Sequence, residues 1–430
     1  MRVDKNTPAT YLQALCLIVI AILFNACDSS IDAEEQSLAF HYPDSFKPND
    51  KEYPYADIPR IVIETENHQA IKDIETEIPA KMQIWGNEES ESEIMDLTIR
   101  GRGNSSWSMP QKSYKIEFDK KQSILGMPKD KDWALIANYA DKSLIRNYIA
   151  YQLSRDLDTY YAPRCEFVEL YVNQEYLGVY LLTETIKIGE NRVNIPKDDK
   201  SYIIEFDEKY RDNEQVFFSD ILLNNGVGKA FRIHYPKTAD EATYETIKDH
   251  VQEFENTLIQ NQKNLDEWID IEESIKHYWA QEFTKNPDAG FYTSVYFTWI
   301  KGELIKMGPV WDFDLAFGNH SNDDINRSDM WLIRSKYWYN YFFKNEMYVN
   351  RIHQYWVQKH DLFTSVLDSI DSKKKSLDKA AKNNFSRWNI LQDTTSTLWK
   401  NKPYSSYDEA IKDLKDWLSK RIEWIDKQKN

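Results

Sequence analysis

Residues 309–318 read Pro309-Val310-Trp311-Asp312-Phe313-Asp314-Leu315-Ala316-Phe317-Gly318, two acids set among three aromatic rings. Rings seek burial, so Asp312 and Asp314 sit uneasily as plain solvated surface. The stretch ends a predicted hairpin: a strand over 291–300, a turn at Lys301-Gly302-Glu303, and a second strand running into the acids. Just before that hairpin, Lys285-Asn286-Pro287-Asp288-Ala289-Gly290 reads as a loop that terminates a helix. The hairpin therefore brings two acidic loops together, one carrying Asp288 and the other Asp312.

Working outward toward the N-terminus, a helix is expected from about 265 to 283, with Ile271, Ile275, Tyr278 and Phe283 inward. Another begins near Thr238, which with Glu241 reads as a capping box; Ile247, Val251, Phe254 and Leu258 then recur at helical spacing. Before position 238 the pattern is β-rich. Short strands are expected at 61–63, 80–85, 97–100 and 113–118, a hairpin from 166–172 and 177–183 about Asn173-Gln174-Glu175, and further strands at 201–207 and 231–235 around an insertion. Alternation puts Tyr114, Ile116 and Phe118 on one face and Ser113, Lys115 and Glu117 on the other. A helix opens at Asp141-Lys142-Ser143. Beyond 318 the chain reads as largely helical and closes with 408–427, whose Ile411, Leu414, Leu418, Ile422 and Ile425 form one stripe. The change of period predicts a β-rich part over 57–237 and a mainly helical part over 238–430.

The first 26 residues read as a signal peptide: Arg2 and Lys5 precede an apolar run over 14–24 that is too short to span a bilayer. Ala26 stands directly before Cys27, the expected lipidation site, and 27–56 reads as a tether. The acids Asp28, Asp32, Glu34 and Glu35 resemble the export signal of surface-displayed lipoproteins in the Bacteroides lineage. Export, a lipid anchor in the cell envelope at the outer membrane, and membrane contact through that lipid alone are the expectations. Cys16 leaves with the signal and Cys27 takes lipid, so Cys165 stands alone and reads as a buried small residue rather than a nucleophile. The chain of 430 residues carries 70 Asp plus Glu against 54 Lys plus Arg, a balance that disfavours broad nucleic-acid binding. Its 14 Trp and 27 Tyr read mostly as core packing, with some left to line a groove.

One further element bears on chemistry. Gly101-Arg102-Gly103-Asn104-Ser105-Ser106 lies between two predicted strands, and Lys115 follows. Glycines let backbone amides turn toward phosphate oxygens, Arg102 and Lys115 can neutralise them, and the hydroxyls add donors. By itself such a loop is most often a plain turn. Phosphoryl transfer also needs carboxylates that hold divalent cations and an acid that orients the attacking hydroxyl. Asp288 can alternatively be a helix-terminating turn and Asp312 an ordinary surface acid.

Four ordered blocks carry a resemblance. They are Arg100 to Ser106 with Lys112 to Lys115; Asn138 to Asn147; Tyr171 to Asn173 with Tyr176 to Leu182 and Glu184; and Pro309 to Gly318. Together they look like the signature blocks of the CotH family of atypical protein kinases. The resemblance implies a two-lobed, protein-kinase-like α+β fold with a β-rich N-lobe and a helical C-lobe. It also implies a kinase that uses ATP and Mg²⁺ or Mn²⁺ to phosphorylate a Ser/Thr-rich protein acceptor. Carried over, Asp288 would be the catalytic acid and Asp312 with Asp314 the metal ligands. Arg102, Asn104 and Lys115 would bind the nucleotide, and Glu184 would reach it or pair with Lys115. Asp141 and Arg146 would hold their helix against the sheet. Spore-coat relatives carry an Asn a few residues after the catalytic acid, where Thr293 and Ser294 stand here. Two other readings remain: a catalytically silent surface scaffold or adhesin, and a glycan-handling enzyme with Asp288 and Asp312 as paired carboxylates.

Overall fold

Seven strands of the N-terminal half close into a barrel: β1 (Arg60–Thr65), β2 (Ile78–Trp85), β3 (Met95–Arg102), β4 (Ser113–Ile124), β5 (Met127–Ala137), β6 (Cys165–Val172) and β7 (Glu175–Glu184). They run in the order β1-β2-β3-β4-β5-β7-β6, antiparallel throughout until β6 pairs in parallel with β1 and shuts the ring. Closure leaves no free sheet edge. The computed structural model describes residues 46–428 except 88–91, 223–225 and 261; the expected signal peptide and Cys27 lie outside the described residues. Among these, no helix is long and apolar enough to cross a membrane.

The face that alternation assigned to Tyr114, Ile116 and Phe118 fills the barrel, together with Ile63, Trp133 and Leu182. The β6–β7 hairpin lacks alternation because both of its faces are buried. Val168 and Leu182 point into the barrel, whereas Phe167 and Leu181 belong to a second, larger core with the helices.

A second sheet has the order β12-β11-β8-β10-β9, built from β8 (Ser201–Phe206), β9 (Val216–Leu222), β10 (Gly228–Tyr235), β11 (Val295–Ile300) and β12 (Lys306–Met307). The helices are α1 (Arg146–Asp156), α2 (Glu241–Gln260), α3 (Ile271–Thr284), α4 (Asp323–Asn326), α5 (Tyr337–Phe342), α6 (Glu346–Arg387) and α7 (Tyr407–Asp426). Most of them follow the second sheet. The cap of α2 is Asp240 rather than Thr238, its carboxylate accepting from the Thr243 N–H at 2.8 Å.

This architecture overturns the expected two-lobed kinase-like fold, although the α+β class stands. The β-rich half is a closed barrel, not an open lobe sheet. The second sheet joins strands from both sides of position 237, since β8 pairs with β10 and with β11. One apolar core also runs from the outer wall of the barrel to α7.

At its C-terminal end α6 docks on β7. Asn384 accepts the Val179 N–H at 2.9 Å, and Trp388 just beyond the helix donates to the Leu177 carbonyl at 2.8 Å. Gly178, at φ 102°, permits this approach, because a Cβ there would fall 2.5 Å from the Asn384 amide oxygen.

Candidate functional site

The acidic loops meet because their backbones are held from two sides. Helix α3 ends at Lys285 in the left-handed conformation, φ 48°, and the chain turns into Asn286. The Asn286 amide donates to the Asp312 carbonyl at 3.0 Å while its oxygen accepts the Asp288 N–H at 3.3 Å, which ties the loops together. From the other side, Asn147 on α1 accepts the Phe313 N–H at 2.7 Å, and Arg146 donates to the Ala316 carbonyl at 3.2 Å. Arg146 is itself fixed by a buried ion pair with Asp141. The Asp141–Asn147 block therefore does more than hold a helix against a sheet: it shapes the Asp312 loop. Asp312 itself has φ 63°, a left-handed conformation unusual for a residue with a side chain.

Asp288, Asp312 and Asp314 line a cavity of about 440 Å³, whose opposite wall is Arg102, Gly103, Asn104 and Ser105. Its floor is the second sheet, with Glu205, Arg232 and Tyr296. Five of the sequence-selected residues thus come together: Arg102, Asn104, Asp288, Asp312 and Asp314.

The electrostatics follow from enclosure and crowding. Burial, reinforced by the Asp312 charge, pushes the Asp288 carboxyl up to about 7. Burial also lifts Asp312, against the pull of Arg102 and of a hydrogen bond from Asp314. Asp314 is raised well above the usual carboxylate range by burial and by the Asp312 and Asp288 charges. The Arg102 guanidinium packs over the Trp311 ring at 4.6 Å, and burial draws it below its ordinary value.

The raised Asp288 value has a consequence for stability. A carboxyl whose folded value lies above 3.8 contributes most while protonated, and that contribution is lost as pH rises from about 4 through 7. Asp288→Asn, which cannot ionise, should therefore gain stability over the parent increasingly across that window, by no more than about 1.4 kcal/mol per pH unit. Denaturation curves at pH 4, 5.5 and 7.5 check this; a constant difference between the two proteins would remove Asp288 from a buried acidic setting.

Lys115 and Glu184 do not line the cavity. Lys115 pairs with Glu117 at 2.7 Å and Asp132 at 3.0 Å on the outer barrel face. Glu184 is fully buried, pairs with Arg192, and accepts from Arg164 Nε at 2.8 Å and the Tyr161 hydroxyl at 3.0 Å. Cys165, the first residue of β6, is buried in the larger core, and that burial pushes its thiol up to about 12, away from the thiolate a nucleophile needs.

Sequence reasoning missed the floor. Arg232 pairs with Glu205, with Asp207 at 3.2 Å and with Glu214 at 2.7 Å. Asp207 accepts the Thr293 hydroxyl at 2.9 Å, and Glu205 accepts the Ser294 N–H at 3.2 Å. The positions after Asp288 thus anchor these acids. A glutamate inside the otherwise apolar run Tyr202-Ile203-Ile204-Glu205-Phe206 was the available signal.

A protein-family model described as CotH kinase protein matches residues 99–425. No curated protein matches the chain.

Proposed function

Because this chain belongs to the CotH kinase protein family, we propose that it transfers the γ-phosphate of ATP to Ser or Thr of an envelope or surface protein, with Mg²⁺ or Mn²⁺. The observation that supports this most is the gathering of Asp288, Asp312 and Asp314 opposite Arg102 and the glycine loop in one cavity.

The donor set suits a hard divalent cation. Asp312 and Asp314 are half-buried oxygen donors lining one cavity, and a cation between them would offset the crowding of their charges. Among the described residues, no three His, Cys, Asp or Glu side chains stand close enough to hold an ion unaided. Mg²⁺ is commonly held by one or two carboxylates with phosphates completing the shell. Bound there, it would neutralise charge on the phosphates.

The chain's own residues supply the rest. Asp288 accepts the proton of the acceptor hydroxyl as its oxygen bonds to the γ-phosphorus, and the bridging bond to ADP breaks. A base titrating near 7 is well matched to neutral pH. Arg102, held flat on Trp311, meets the phosphates from the glycine-loop side. Arg2, Lys5, the apolar run and Cys27 support an exported, lipid-anchored location.

Purified full chain incubated with ATP and Mg²⁺ or Mn²⁺ is expected to show a nucleotide-dependent rise in melting temperature and phosphate on Ser or Thr, in itself or in Ser-rich acceptors. Absence of both effects would overturn the kinase reading. A rise without transfer would favour a catalytically silent binding protein.

A further inference from the structure

Two of the cations lining the cavity have no carboxylate partner among the described residues, and only one of them, Arg102, has been given a role. Arg100, Arg211 and Arg232 are each paired with a glutamate, at 3.6, 2.8 and 2.7 Å. The other unpaired cation is Lys209, in the loop between β8 and β9. Its Nζ lies 3.5 Å from the Ser105 hydroxyl of the glycine loop and 5.2 Å from the centre of the Tyr292 ring. Lys209 lines the same cavity as Asp288 and Asp312. Its backbone is pinned, since Asp207 accepts the Lys209 N–H at 2.9 Å and the Thr293 hydroxyl at 2.9 Å.

We infer that Lys209, and not Lys115, is the lysine that grips the polyphosphate chain, acting with Ser105 and Arg102. A cation already satisfied by carboxylates must break those contacts before it can meet an incoming anion. Lys115 would have to leave two of them. Lys209 leaves none, and it faces the acids that the phosphates must approach. It closes the cavity from the second sheet, while Arg102 and Ser105 close it from the barrel. The loop carrying Gly103, at φ 106°, and the loop carrying Lys209 are joined a second time by Arg211 and Asn104, 3.5 Å apart. An anion between the loops would be held from both sides by charge-assisted hydrogen bonds.

The inference rests on the kinase reading for the identity of the anion, and the test separates the two. Melting temperatures of the full chain are measured against ATP, AMP and inorganic tripolyphosphate, each with Mg²⁺, for the parent, Lys209→Met, Lys209→Arg and Lys115→Met. Met keeps the aliphatic stem on Tyr292. In Lys209→Met the ATP concentration giving half the shift is expected to rise about tenfold or more, with any AMP response unchanged. Lys209→Arg should restore most of the loss, and Lys115→Met should match the parent. Equal ATP responses in parent and Lys209→Met would overturn the inference alone. A response to tripolyphosphate that needs Lys209, with none to ATP, would support the anion clamp and overturn the kinase reading. No response to either anion would overturn both.

Discussion

Asp312→Asn is expected to lower phosphate transfer by a factor of about 10³ or more, with the melting temperature unchanged or raised. The substitution keeps side-chain shape and removes one negative charge. Asn also tolerates the left-handed backbone at this position, φ 63°, so the loop has no steric reason to move. What disappears is one of two crowded, half-buried carboxylates, both raised above the ordinary carboxylate range by burial and, for Asp314, by the neighbouring acids. Relieving that crowding stabilises the fold, whereas transfer loses a ligand for the cation. Rates under saturating ATP and Mg²⁺, read beside the melting curve, give the answer. Transfer within about threefold of the parent would exclude Asp312 as a metal ligand.

Arg421→Ala should cost about 3–5 kcal/mol of stability. Arg421 on α7 and Glu282 on α3 are both fully buried and pair at 2.8 Å. Glu282 also accepts the backbone N–H groups of Leu332, Ile333 and Arg334, at 2.8, 2.6 and 3.0 Å. Arg421 donates to the carbonyls of Ser328 and Met330, at 3.1 and 2.8 Å. Removing the arginine strands a carboxylate away from water and frees the 328–334 loop at once. Glu282→Gln combined with Arg421→Leu should recover part of the loss, because no charge is then left unpaired. Urea denaturation at fixed pH measures all three. A loss below about 1 kcal/mol for Arg421→Ala would mean that water reaches the pair.

Much of this was legible in the sequence where a short-range pattern carries it. The stripe of the closing helix and the alternation in β4 were such patterns, and both took the faces they foretold. Closure of the barrel was not legible, because it depends on the parallel pairing of β1 with β6, about a hundred residues apart. Strand β5 was not found, because the charged run Pro128-Lys129-Asp130-Lys131-Asp132 lacks an apolar alternation; in the fold Lys187 ties that run down through Asp130 and Asp132. In the site, Asp288, Asp312 and Asp314 were found because acids among aromatic or turn residues stand out. Lys209 was not, because a lysine in a charged loop looks like any solvated residue until the fold sets it against the glycine loop. Lys115 looked suited to a phosphate role from its distance in sequence, but alternation had already placed it beside Glu117, its partner.

The β6–β7 hairpin belongs to two cores at once, and this limits how the molecule could move to admit the proposed nucleotide. A strand pair shared by two cores cannot act as a hinge, since rocking one core against the other would tear apolar contacts on both faces of the same strands. Under the proposed function, entry and exit would fall to the glycine loop and the Lys209 loop, whose mutual contacts are single polar ones at 3.5 Å. Loop movements of this kind run in nanoseconds to microseconds, faster than the closure of whole domains. A nucleotide taken up in the proposed way would thus need no slow clamping of whole domains before it binds.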